Sequence, residues 1–105
     1  MNLFQLRAFD AVAREGSFTR AAARLFISQP AVTGHIKALE EHYQIPLLRR
    51  TARRVELTEE GTRLAALTRA IFGLVDEAQA LLEANRQLLT GRLEVAADGP
   101  HLVMP

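Results

Sequence analysis

SFTRAAARLFISQPAVTGHIKALE, Ser17 to Glu40, reads as two short helices joined by almost nothing. Ser17 has the chemistry of an N-cap, because its side-chain oxygen can take a backbone N–H left unpaired at a helix start. Phe18, Ala21, Ala22 and Leu25 then fall on one face, with alanines that allow close helix approach. The pattern fades at Phe26-Ile27, and Ser28 offers a second cap. Pro30 lies in the first turn of the next helix, where a missing N–H costs nothing and the fixed φ suits the helix. That helix is expected from Gln29 to about Tyr43. Val32, Ile36, Leu39 and Tyr43 recur at steps of four, three and four and are expected to face the core. Gln29, Thr33 and Lys37 share another face, with Gly34 beside them.

Outward from this pair, Leu3, Leu6, Phe9, Val12 and Ala13 recur at helical spacing. A helix is expected over 2–15, ended by Gly16 as its left-handed cap. On the other side, Leu47-Leu48 and Val55-Glu56-Leu57 read as two short strands. Between them Arg49, Arg50, Arg53 and Arg54 occupy a six-residue tip that contains no acid. A two-stranded hairpin is marginal alone, so this one is expected to pack on the helices as a wing.

Thr58-Glu59-Glu60 is a cap followed by an acidic first turn, which suits the positive end of a helix dipole. Leu64, Leu67, Ile71, Leu74, Ala78, Leu81, Asn85 and Leu88 follow at alternating steps of three and four, the seam of a coiled coil. A helix over 58–89 would be roughly 48 Å long at about 1.5 Å per residue. A small domain cannot bury such a stripe along its full length, so a second copy is the expected cover. Thr90-Gly91 is expected to end this helix, and Arg92 to Ala97 alternates like a strand. The division expected is 1–57, 58–90 and 91–105, the last being the start of a domain that the chain does not complete.

Net charge is +1, but it is split: residues 1–57 carry nine bases and five acids, and residues 58–105 four bases and seven acids. The first half is therefore suited to a polyanion. With no cysteine, disulfides and thiolate metal sites are excluded. The three histidines, His35, His42 and His101, lack a ligand spacing. There is no nucleophile-elbow or phosphate-loop motif, so neither an enzyme nor a cofactor or metal is expected. No apolar run approaches a membrane span, and the start, MNLFQLRAFD, lacks a signal-peptide layout. A cytoplasmic, nucleoid-associated protein is expected, without a membrane partner.

The order helix, tight turn, helix, basic hairpin is that of a winged helix-turn-helix, mainly α, followed by a long dimerisation helix. The start of the third helix would enter the major groove of double-stranded DNA. There Gln29 can read an adenine edge, Thr33 can donate or accept, and the Pro30 ring can meet a thymine methyl. The helix starts at Ser17 and Ser28 offer N–H groups to phosphates. Lys37 and the wing arginines, Arg50, Arg53 and Arg54 among them, would track the backbone.

LRAFDAVAREGSFTRAAARLFISQPAVTGHIKALE and PLLRRTARRVELTEEG resemble the N-terminal part of LysR-type transcriptional regulators over residues 1 to about 98. The resemblance implies a dimer that binds an inverted repeat, with linker helices paired antiparallel. It implies base contacts from Gln29, Pro30 and Thr33 and backbone contacts near Ser17, Ser28, Arg50 and Arg53. It also implies a C-terminal domain that binds a small-molecule effector and begins near Arg92, and possible tetramers of the full-length protein. Three positions depart from the family pattern. Thr33 stands for a common serine, Gly34 for an arginine that would reach bases or phosphate, and Tyr43-Gln44 for Leu-Gly. The last change suggests that the third helix ends differently. The tail ADGPHLVMP resembles, more faintly, regulators associated with aminoethylphosphonate breakdown. Two other readings compete with a transcription regulator: a coiled-coil interaction module, and a regulatory appendage of an enzyme.

Overall fold

Asn2 starts the first helix. Its Oδ1 accepts from Gln5 N at 2.9 Å while Gln5 Oε1 accepts from Asn2 N at 3.2 Å, a reciprocal capping box. In the computed structural model, which describes residues 1–51 and 54–95 and side-chain surroundings as far as residue 86, this helix, α1, spans Leu3–Glu15. Gly16 ends it at φ +66°, with its N–H on Val12 O. The second, α2, spans Phe18–Leu25, capped by Ser17 Oγ on Arg20 N. The third, α3, spans Gln29–Tyr43, capped by Ser28 Oγ on Ala31 N, with Pro30 in its first turn.

The core is where these three helices meet. Leu6, Phe9, Val12, Phe18, Val32, Ile36 and Leu39 are buried, and Ala8, Ala11, Ala21 and Ala22 are buried between them. Tyr43 was expected to complete the inner face of α3, but it is half exposed at the helix end and sets its ring edge-on to His42. Leu3 is exposed as well. Both lie at helix ends, where the apolar stripe outruns the surface it packs on.

The expectation of a different ending for α3 is corrected. Gln44 takes the left-handed cap conformation, φ 57°, that the family pattern gives to glycine. Its side-chain amide donates to Glu41 O at 2.6 Å, which offsets part of a backbone cost of about 1 kcal/mol. Phe26 takes the same left-handed backbone conformation after α2, at φ 58°.

β1 (Leu48–Arg50) pairs antiparallel with β2 (Val55–Leu57), placing Leu48 opposite Leu57, Arg49 opposite Glu56 and Arg50 opposite Val55. Glu40 ties this wing to α3, since its Oε2 accepts from Leu47 N at 2.7 Å and Leu48 N at 3.2 Å. Thr58 is the junction with the last helix, α4 (Glu59–Val95). Its Oγ1 accepts from Gly61 N at 2.9 Å and donates to Pro46 O at 2.8 Å, while its own N–H donates to Leu47 O.

α4 does not stop at Thr90-Gly91. It continues to Val95, so the strand expected over Arg92–Ala97 is helix in its first four residues. An interior glycine costs only about 1 kcal/mol relative to alanine, which does not by itself end a helix. Ala96 and Ala97, like the tail ADGPHLVMP, lie outside the described residues.

The chain forms two compact units, Met1–Phe72 and a second that begins at Gly73. In the first, α4 packs on the head through Gly61, Thr68 and Phe72, which are buried. Thr68 Oγ1 donates to Asp10 Oδ1 at 2.9 Å, and Arg14 Nε donates to the other oxygen of Asp10 at 2.8 Å. The Arg7 guanidinium covers the Phe72 ring at 4.3 Å. Leu67 and Ile71 are exposed in this unit, as are Leu74, Leu81 and Leu82 in the other. Leu64 is half-buried, and the Leu88 side chain lies outside the described ones.

Candidate nucleic-acid interface

The first turn of α3 is open. Ser28, Gln29, Pro30, Gly34 and Lys37 are exposed and Thr33 is half-buried. Their backbone is held from below by Val32 and Ile36 in the core, so the exposed face is presented on a rigid element. The Gly34 position borders open space, with no atom within 4 Å of where a Cβ would stand. The Ser17 and Ser28 hydroxyl oxygens are spent as caps, yet each keeps its own proton to donate. Thr19, exposed on the first turn of α2, places its Oγ1 3.3 Å from Gln29 Oε1.

Beside this face, Phe18, Thr33, Ile36, Lys37, Glu40, Leu48 and Arg50 line a cleft of about 350 Å³ between α3 and the wing root. It carries two cations, Lys37 and Arg50. The one carboxylate in its lining, Glu40, is occupied by the two backbone N–H groups of the wing root. The Arg50 guanidinium lies 4.1 Å over the Phe18 ring. That stacking holds a long side chain in place while its N–H groups stay free for acceptors. The structure thus brings Thr33, Lys37 and Arg50 together.

Further out the wing is less uniformly basic than its sequence suggests. Arg54 Nε lies 3.2 Å from Glu56 Oε2, an exposed pair two residues apart on the same arm of the hairpin. Exposed pairs contribute little stability, but this one lowers the local positive field. Thr51 closes the tip with its N–H and hydroxyl on Arg54 O. Arg53 lies outside the described residues.

Sequence reasoning missed Thr19 and Arg20, both exposed on α2 beside Ser17. The only signal was their place in the first turn after a cap, where side chains sit next to free helix N–H groups. Among the described residues no cluster of three potential metal ligands occurs, and no helix is long and apolar enough to cross a membrane.

The model of a bacterial regulatory helix-turn-helix protein of the lysR family matches residues 3–62. The RuBisCO operon transcriptional regulator of Allochromatium vinosum is 40% identical over 96 residues, which cover 91% of this chain and 32% of that protein. The chain therefore spans about a third of the length of that relative. Among solved structures, BenM_DBD in complex with catB site 1 DNA superposes with a TM-score of 0.72 at 37% identity, covering 82% of this chain and 97% of that one. The CbnR_DBD–DNA complex gives 0.67 at 36% identity, covering 82% and 99%.

Proposed function

This chain belongs to the lysR family of bacterial regulatory helix-turn-helix proteins, and on that premise we propose that it is the DNA-binding and dimerising part of a transcription regulator. Residues 1–57 form the winged head, α4 is the linker, and an effector-binding domain starts beyond it. The start of α3 enters the major groove of an inverted repeat, where Gln29, Pro30 and Thr33 meet base edges. Ser17, Ser28, Lys37, Arg50, Arg53 and Arg54 meet the sugar-phosphate backbone. Small-molecule control reaches the head only through the C-terminal domain. The chain does no chemistry of its own and works in the cytoplasm, at the nucleoid.

One observation carries this reading. An exposed polar row on a buried-backed helix lies beside a cleft with two cations whose only carboxylate is already engaged. A protein-docking module would be expected to show an apolar patch there. The proteins similar to this chain include heads solved on DNA, which supports the same reading.

The test is a salt titration of duplex binding. Arg50→Ala with Arg53→Ala should weaken all sequences alike and lower the log–log salt slope by about 0.9 per lost phosphate contact. An unchanged slope removes the wing from the interface. Absence of any salt-dependent duplex binding by the wild-type chain would return the coiled-coil module as the better reading.

The exposed leucines of α4 support the second half of the proposal. Leu67, Ile71, Leu74 and Leu81 are exposed in the single chain, and with Leu64, Ala78 and Leu88 they form the seam on which two copies pair. Higher assembly into tetramers belongs to the full-length protein.

A further inference from the structure

Gln29 is a flexible reader: its amide sits at the end of three rotatable bonds, and an unrestrained amide spends little time in one orientation. A side chain that reads a base edge with two atoms gains from being held before it binds. The structure supplies a holder. Thr19 belongs to α2 and Gln29 to α3, ten residues apart, and the Thr19 hydroxyl donates to Gln29 Oε1 at 3.3 Å. Among the described residues, Gln29 has no other side-chain partner.

The position of Thr19 explains why its hydroxyl is available. Inside a helix a threonine hydroxyl commonly bonds the carbonyl one turn back. Thr19 is the second residue of α2, and the chain before Ser17 turns away at Gly16. Ser17 Oγ already caps Arg20 N, so the two hydroxyls do not compete. Threonine is also stiff at χ1, which aims the hydroxyl from the α2 backbone.

We infer that Thr19 is a positioning residue for Gln29 and, through it, a determinant of base preference; this rests on the reading of α3 as the major-groove element. With Oε1 taking the Thr19 proton on one lone pair, both Nε2 protons face outward and the second lone pair stays free. Such a group matches a purine, whose N7 accepts in the major groove. Adenine matches it best, because its N6 also donates to the free lone pair. A pyrimidine offers no N7 at that place.

Selection from a pool of duplexes with randomised positions tests this without a known operator. The wild-type chain should enrich a purine at one position per half-site, and Gln29→Ala should lose that enrichment. Thr19→Val, which keeps shape and removes the donor, should reduce the purine-over-pyrimidine ratio there about 2- to 10-fold, the range for one net hydrogen bond. It should leave random-duplex affinity and salt slope unchanged, and Thr19→Ser should restore the ratio. In a Gln29→Ala background Thr19→Val should change nothing further. Because the readout compares sites on one protein, a lower folded fraction cancels. The inference is overturned if Thr19→Val leaves the ratio intact while Gln29→Ala abolishes it. It is equally overturned if Thr19→Val weakens random duplex as much, or acts just as strongly without Gln29. A Gln29→Ala chain that keeps the wild-type preference removes the readout role of Gln29 itself, and a wild-type chain that enriches nothing overturns the proposed function.

Discussion

Two stripes run along α4 at the same coiled-coil spacing, and they have opposite fates. Leu64, Leu67, Ile71 and Leu74 make one; Gly61, Ala65, Thr68 and Phe72 make the other. By hydrophobicity the leucines should be the ones buried. Instead the head takes the poorer stripe: Thr68 is fully buried and Phe72 nearly so, while Leu67 and Leu74 are 62% and 65% exposed. Close approach decides this. At Gly61 a Cβ would stand 2.1 Å from Leu47 O, so only glycine lets the start of α4 lie against the wing root. Thr68 then reaches Asp10, a buried carboxylate that needs donors. Leu67, Ile71 and Leu74 are left exposed, where a second helix can cover them.

Breaking the outward stripe should produce the largest effect. Leu74→Glu with Leu81→Glu puts two carboxylates into an apolar seam, at a cost on the order of 5 kcal/mol of association. Sedimentation should show monomers with an intact head. Operator affinity should fall steeply because each half-site must then bind without its tethered partner. A wild-type chain that sediments as a monomer at about tens of micromolar, where micromolar association would still populate dimers, would end the proposed role of the leucines.

The inward stripe should respond in the opposite manner, through stability rather than association. Gly61→Ala forces the α4 start off Leu47 and should destabilise the head by about 3 kcal/mol, as overpacking does. Chemical denaturation followed by helix signal measures it. A neutral result would mean that the approach to Leu47 is not needed. Thr68→Val should cost less, about 1–2 kcal/mol, because it leaves one oxygen of Asp10 without its donor while Arg14 keeps the other. If Thr68→Val instead changed the monomer–dimer equilibrium at unchanged head stability, the two stripes would not be separate in function.

Local signals were legible because they act over a few residues. Ser17, Ser28 and Thr58 each cap the helix assigned to them, Gly16 takes the left-handed turn, and Pro30 opens α3. These depend on backbone groups three or four positions away, so the sequence contains both partners side by side. The periodic leucine stripe was legible for the same reason: periodicity is a property of one helix. At the ends of helices this reasoning lost its grip. Tyr43 kept the inward spacing and still emerged into solvent, and Gly91 did not stop α4.

What the sequence alone determined, then, is the order of helices and wing, the caps between them and the existence of an apolar stripe too long for one small domain. Only the tertiary structure decided which stripe of α4 the head consumes. It also decided that Arg50 stacks on Phe18, and that Thr19 meets Gln29. Asp10 and Thr68 are 58 residues apart, and nothing near either one names the other. Their bond exists because Gly61 admits the start of α4 against Leu47. Packing of that kind is a sum over the whole chain, which no short window of residues contains.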